Sequence, residues 1–380
     1  MRAALPLALL LIGATPAPTA SDYAADAREV APLIAANYAY LDALPGGVVP
    51  TSPALIAERD AVHDADTLLH YAEDMIATLA DHHALTGKSF KDDWAIVPTY
   101  ADLWIVMRDG RYVIDAVKPG SPAAGAGLHA GQTLSAVDGV PTEQAVAAYW
   151  ARLGLQPTGE RTAFAARVLA AGRRDRARHL TINGRAVTLA SLYEGQADRP
   201  PLMVSQAHGA TVIRFNNALG DSVTIAAFDE AMAATPSDAR VILDLTDTPS
   251  GGNTSVARAI MGWFVTRPMP YQMHVLPAEE RETGIARRWV EMVDPRAGKY
   301  HPGPVAIRVG RWTGSVGEGI AIGFAAIGKP VCGTRMAGLK GAVYDFDLPR
   351  TGLRVKFPAE RLYAVGGQPR ETFVPPPCRP

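Results

Sequence analysis

The stretch Arg311–Tyr344 reads R-W-T-G-S-V-G-E-G-I-A-I-G-F-A-A-I-G-K-P-V-C-G-T-R-M-A-G-L-K-G-A-V-Y. An apolar strand, Val305 to Val309, leads into a turn that carries Thr313, Gly314 and Ser315. A small-residue helix follows, with Ile320, Phe324 and Ile327 at helical spacing, and Gly328 and Pro330 end it. A second short strand, Val331 to Cys332, enters a Gly-rich loop that holds Lys340. A serine between a strand and a helix start has an exposed hydroxyl. Unpaired N–H groups and the positive end of the helix dipole lie beside it. Such a serine is either a helix cap or a nucleophile.

Lys340 lies 340 − 315 = 25 residues after the serine, between Gly338 and Gly341 rather than on a charged helix face. The two phrases Ser315-Val316-Gly317-Glu318 and Gly338-Leu339-Lys340-Gly341 resemble the S-x-x-E and G-x-K-G patterns of the carboxyl-terminal processing, or tail-specific, serine proteases. The resemblance implies a Ser315–Lys340 dyad. It extends outward over most of the chain.

The chain has 380 residues, room for two or three domains, and 48% hydrophobic and 20% charged residues mark it as globular. A net charge of −1 argues against a dedicated nucleic-acid binder. The one basic cluster, Arg173, Arg174, Arg176, Arg178 and His179, reads as a solvated loop or strand edge. Arg2, the apolar run Leu5 to Ile12 and the small residues Ala17 or Ala20 read as a secretory leader over residues 1–20. Its apolar run is too short to span a bilayer. The expected location is periplasmic or secreted, with no integral membrane segment after cleavage. Cys332 and Cys378 could pair there, or stay free. They have no histidine at ligand spacing, so neither a metal nor a cofactor is expected.

Residues 21–92 read as helical. Val30, Leu33, Ile34 and Leu41 share one face, and Leu68, Leu69, Ala72, Met75, Ile76 and Leu79 another, with a loop from Pro45 to Pro53 between. Asn37-Tyr38-Ala39-Tyr40 and Leu79-Ala80-Asp81-His82-His83 resemble the N-Y-x-Y and L-x-D-x-H phrases of the same family. In its tricorn-core branch a histidine from this region is the base for the serine, which implies His83 as an alternative to Lys340.

Residues 93–190 resemble a PDZ module, through Val113-Ile114, Gly120-Ser121-Pro122-Ala123, Ala126-Gly127-Leu128 and Val137-Asp138-Gly139. The stretch that would bind a peptide carboxylate, Tyr100 to Trp104, has no glycine, and Asp102 there would repel a carboxylate. Strand addition by a peptide therefore fits better than capture of a free C-terminus. Residues 145–190 read as a helix, a basic loop and a hairpin.

Residues 200–380 read as an α/β core. The buried-type strand Val241 to Leu245 opens into Thr246-Asp247-Thr248-Pro249-Ser250-Gly251-Gly252-Asn253 and a helix through Ala257 and Ile260. No phosphate-binding fingerprint is present. The turn resembles the family's D-L-R-x-N-P-G-G phrase, which implies an oxyanion hole from the N–H groups of Gly251, or its neighbour Gly252, and Val316. Residues 268–303 read as a mobile flap or a plain surface excursion.

The fold class expected is thus α/β: an N-terminal helical region, a PDZ-like β-rich module and a ClpP- or crotonase-like catalytic core. The function implied is an exported serine endopeptidase acting on peptides or unfolded proteins through an acyl-enzyme. The family places a glutamine four residues after its lysine; here that position is Tyr344. This departure and the altered glycine turn motivate a second reading, a peptide-binding scaffold with weakened catalysis. A crotonase-type acyl-CoA enzyme ranks last, since it needs neither the PDZ module nor Ser315 with Lys340.

Overall fold

The computed structural model describes residues 17–195 and 198–378. The expected leader falls mostly on residues outside this range. Three helices open the described chain, α1 (Ala20–Asn37), α2 (Pro53–Ala61) and α3 (Ala65–Ala77), and a two-residue strand β1 (Leu85–Thr86) follows. Each helix starts behind a side-chain cap, from Thr19, Ser52 and Asp64 respectively. Helix α2 begins where the sequence reads as loop. Pro53 occupies the first helical position behind Ser52, where its missing N–H costs nothing.

Next comes a β-rich module. Strands β2 (Leu103–Arg108) and β3 (Arg111–Val117) pair antiparallel, and a short helix α4 (Pro122–Gly125) is capped by Ser121. Strands β4 (Leu134–Val137) and β5 (Val140–Pro141) form a hairpin across Asp138-Gly139, both at positive φ (49° and 78°), as such a turn requires. Helices α5 (Thr142–Ala151) and α6 (Glu160–Ala171) come before the hairpin β6 (Arg178–Ile182) and β7 (Arg185–Leu189). Two helices therefore stand where the sequence suggested one.

Two sequence expectations are corrected here. Asp102 does not face a peptide. It is fully buried, bonded through both oxygens to Arg178 (2.6 and 3.0 Å), and it accepts the Ala123 N–H at 2.9 Å. The basic cluster is likewise not a solvated edge throughout. Arg178 is buried, and Arg173 lies 3.9 Å over the Trp94 ring.

The remainder is built on two sheets. Strands β8 (Leu202–Ala207) and β9 (Ala210–Phe215), helix α7 (Val223–Ala233), β10 (Arg240–Asp244), α8 (Thr254–Met261), β11 (Met269–Val275), α9 (Pro277–Thr283) and β12 (Arg288–Val293) come first. Then follow β13 (Val305–Val309), α10 (Val316–Ala326), β14 (Val331–Gly333), β15 (Ala342–Asp347) and β16 (Arg354–Tyr363). One sheet runs β14-β13-β10-β9-β8, parallel except for β8. The other is antiparallel and runs β1-β16-β11-β12, with β15 also on β16. Helix α10 packs between them through Ile320 and Phe324, in one core with Val241, Ile307 and Tyr271. Of residues 268–303, the first part is neither flap nor excursion, because β11 is an internal strand of the second sheet; β12 pairs on its outer side as the edge. Cys332 and Cys378 are joined by a disulfide, which ties the C-terminal tail to β14.

The PDZ-like module grips the core at the serine turn. Trp312 Nε1 donates to the Ala101 carbonyl at 2.6 Å, Lys118 pairs with Asp247 at 2.8 Å, and Arg311 pairs with Asp115. Asp102→Ala would leave Arg178 charged, buried and unpaired. It should lower unfolding stability by about 3–5 kcal/mol, measured by chemical denaturation. An unchanged midpoint would show that the pair does not hold the module together.

Candidate active site

Ser315 joins β13 to α10 in a conformation that L residues rarely adopt, φ 52° and ψ −115°. Such backbone is held by its surroundings at a cost of order 1–3 kcal/mol. Here two turns ride on each other. Thr248 N–H donates to the Trp312 carbonyl at 2.9 Å, and Gly314 N–H to the Thr248 carbonyl at 3.0 Å. Thr313 Oγ1 donates to the Leu245 carbonyl at 2.7 Å. A Cβ on Gly314 would lie 2.6 Å from the Pro249 carbonyl oxygen, so the turns meet only because that residue is glycine.

The Ser315 hydroxyl lies 3.0 Å from His83 Nε2. His83 Nδ1 lies 2.6 Å from the Lys340 carbonyl oxygen. A carbonyl only accepts, so Nδ1 carries the proton and Nε2 offers its lone pair to the serine. Burial, then the nearby Arg370 guanidinium, holds the His83 pKa down to about 4, so the ring is neutral at pH 7. Asp81 fixes its backbone. Oδ1 accepts the His83 N–H at 3.0 Å, and Oδ2 accepts the Tyr38 hydroxyl at 2.8 Å. The adjacent His82 turns elsewhere, stacked on Phe164 (4.4 Å) and accepting Arg167 Nε at 2.9 Å.

Lys340 enters this site through its backbone. Its ammonium pairs with Glu160 at 3.1 Å and lies 5.7 Å from the Tyr40 ring centre. No hydrogen bond joins it to Ser315 among the described residues. The loop around it is clamped twice. Glu318, fully buried, accepts the N–H groups of Gly338 (2.8 Å), Ser315 (2.9 Å) and Leu339 (3.2 Å). Arg370 donates to the Leu339 and Gly341 carbonyls at 3.0 and 2.7 Å. Burial pushes the Glu318 carboxyl up to about 7, against the pull of Arg370 and the three N–H groups. Gly341 has φ 48°, and a Cβ there would meet the Glu360 carbonyl oxygen at 2.0 Å. Tyr344, where the family has its glutamine, bonds to Glu360 rather than to Lys340.

The helix mouth supplies donors. Gly317, Glu318 and Gly319 N–H groups find the carbonyls of Gly314 and Ser315, which leaves Val316 N–H without an acceptor among the described residues. Gly252 lies against Val316, since a Cβ on it would be 1.8 Å from Val316 Cγ1. His83, Ser315, Gly251, Gly252 and Val316 line one cleft of about 550 Å³. The sequence did not single out Gln272, His274, Glu291, Glu360 or Arg370, which share that cleft. The alternation of Tyr271, Met273 and Val275 with Gln272 and His274 was the available strand signal. His274 bridges Glu360 (2.7 Å) and Glu291 (3.1 Å). Burial opposes its charge, but these bonds outweigh burial and raise it to about 9. No cluster of His, Cys, Asp and Glu among the described residues could hold a metal ion.

Residues 113–167 match the PDZ domain family. No curated protein matches the chain. Solved structures do. The photosystem II D1 C-terminal processing protease aligns over 93% of this chain and 92% of its own, at 16% identity and a TM-score of 0.57. Mature CPAF aligns over 94% and 92%, at 15% identity and 0.56. A putative peptidase from Parabacteroides merdae aligns over 93% and 87%, at 12% identity and 0.50. The chain therefore has the fold of the tail-specific processing proteases along nearly its whole length.

Glu318→Ala would take the acceptor from three N–H groups at once, that of Leu339 buried and those of Ser315 and Gly338 half-buried. The melting temperature should fall, by an amount equivalent to roughly 2–4 kcal/mol. An unshifted transition would mean that Glu318 does not clamp the loop.

Proposed function

We propose that this protein is a serine endopeptidase in which Ser315 is the nucleophile and His83 its general base. The observation that carries the reading is the 3.0 Å contact between Ser315 Oγ and the bare Nε2 of His83. The fold shared with the processing proteases supports it.

His83 takes the Ser315 proton as the hydroxyl oxygen attacks the scissile carbonyl carbon. The imidazolium that forms keeps Nδ1–H on the Lys340 carbonyl, which stabilises the positive ring. That carbonyl does the orienting that a carboxylate does in a Ser–His–Asp triad. The N–H of Val316, with that of Gly251, faces the developing oxyanion at the positive end of α10. His83 then protonates the leaving amine, and water releases the acyl-enzyme by the same steps. Lys340 contributes its main chain; to act as a base its ammonium would first have to leave Glu160. The substrate is a peptide or an unfolded protein chain, reached without cofactor. Export to an oxidising compartment accords with the leader-like N-terminus and with the disulfide. No helix among the described residues is long and apolar enough to cross a membrane.

The test is hydrolysis of an unfolded protein by purified variants. Ser315→Ala should abolish turnover, and His83→Ala should lower it by roughly 100- to 10,000-fold. Lys340→Met keeps the carbonyl and should stay within about tenfold of wild type. If Lys340→Met is as dead as Ser315→Ala, the lysine is the base after all. The pH profile separates the bases independently. Protonation removes the Nε2 lone pair, and the His83 pKa is lowered to about 4, so kcat/KM should rise through about pH 4 and level off by pH 6. A rate still climbing toward pH 10 would point to Lys340 instead.

A further inference from the structure

The cleft that Ser315 lines is also lined by a residue with an unpaired acceptor. Gln272, on β11, is 2% exposed. Its amide nitrogen lies within bonding reach of Glu291 Oε2 (2.9 Å), the Tyr271 hydroxyl (3.1 Å) and His274 Nε2 (3.1 Å); a carboxylate oxygen only accepts, so Glu291 holds the NH2 end of the amide there. Its carbonyl oxygen is buried and has no partner. A Cβ on Gly319 would lie 3.2 Å from this oxygen. Gly319 follows Ser315 by four residues, one turn along the same face of α10, a rise of about 6 Å. Gln272, Gly319 and Ser315 all line the cleft. With glycine at 319, no side chain of α10 stands over the oxygen from that position. The same cleft is lined by Arg370, whose Nε is a buried donor, also without a partner.

We infer that this wall is a specificity subsite for an uncharged, hydrogen-bonding side chain flanking the scissile bond, with a carboxamide (glutamine or asparagine) as the best fit. The inference rests on the peptidase reading above. A buried polar atom left unpaired is costly, and a site that holds one discriminates against a ligand that cannot pair it. An aliphatic side chain would seal off the Gln272 oxygen dry. A cationic one would meet His274, Arg258 and Arg370, while the two acids are already engaged: Glu291 by Arg258 (3.5 Å) and His274, Glu360 by His274. An anionic one has no N–H to offer the Gln272 carbonyl oxygen and would meet it acceptor to acceptor. A carboxamide brings an N–H for the Gln272 oxygen and a carbonyl for a donor, with no charge to desolvate.

The experiment uses the full-length protein and peptides identical except at one residue, Gln, Leu, Lys or Glu, placed on either side of the cleavage site. Wild type should favour Gln over Leu by at least about tenfold in kcat/KM. Gln272→Leu, and the closer isostere Gln272→Met should the first fail to fold, should erase or invert that ratio while still cleaving the Leu peptide. A wild-type preference for Leu or Lys, or a Gln preference unmoved by either variant, would overturn the subsite. If no peptide is cleaved, the peptidase reading fails instead. Calorimetric binding of the Gln and Leu peptides to Ser315→Ala then decides the subsite alone: tighter Gln binding, lost with Gln272→Leu, supports it, and equal affinities overturn it.

Discussion

The site depends on one buried carboxylate and the three N–H groups it accepts. Glu318 sits one turn into α10, and its oxygens reach back to Ser315 and across to Gly338 and Leu339. This single side chain therefore sets the elbow and the facing loop relative to each other. Arg370 closes the same loop from its other side by holding the carbonyls on either side of Lys340. The Lys340 carbonyl is thereby aimed, and its direction decides which nitrogen of His83 is protonated. Without that carbonyl, either tautomer of a buried imidazole would serve, and only one leaves a lone pair toward the serine. The position of a proton beside Ser315 is thus set by an acid and a guanidinium that both act through backbone.

The fold was legible because its signals are local. The small residues around Ser315 marked the elbow, the Asp138-Gly139 pair marked its hairpin, and Val241 to Leu245 marked a doubly buried strand. The site was legible only as types of residue. Lys340 was picked out for its ammonium, whereas the structure brings its carbonyl to His83; sequence carries no information about which end of a residue faces a partner 257 positions away. Asp102 illustrates the same limit. A carboxylate beside a peptide-binding strand reads as repulsive until Arg178, distant in sequence, neutralises it. Gln272 and His274 belong to a strand whose partners on β16 lie far along the chain, and the Pro, Arg and Glu around it made the segment look like a flap or an excursion.

The PDZ-like module is not an appendage. Ala101, Asp115 and Lys118, from the start of β2 and the end of β3, engage Trp312, Arg311 and Asp247 in the two turns that hold Ser315. Arg199 adds a second cation on Asp247 at 2.7 Å, and Arg214 a third. Asp247 is nearly buried and meets cations from three directions, which keeps its carboxyl ionised despite the burial that opposes it. The turn that presents Gly251 and Gly252 is therefore anchored from outside the α/β core as well as from within.

His83 and Ser315 stand 232 residues apart, with the whole PDZ-like module between them. The histidine is made early on the ribosome, and the serine emerges last of the pair. A chain still in synthesis therefore cannot bring the two side chains together until the turn between β13 and α10 has emerged.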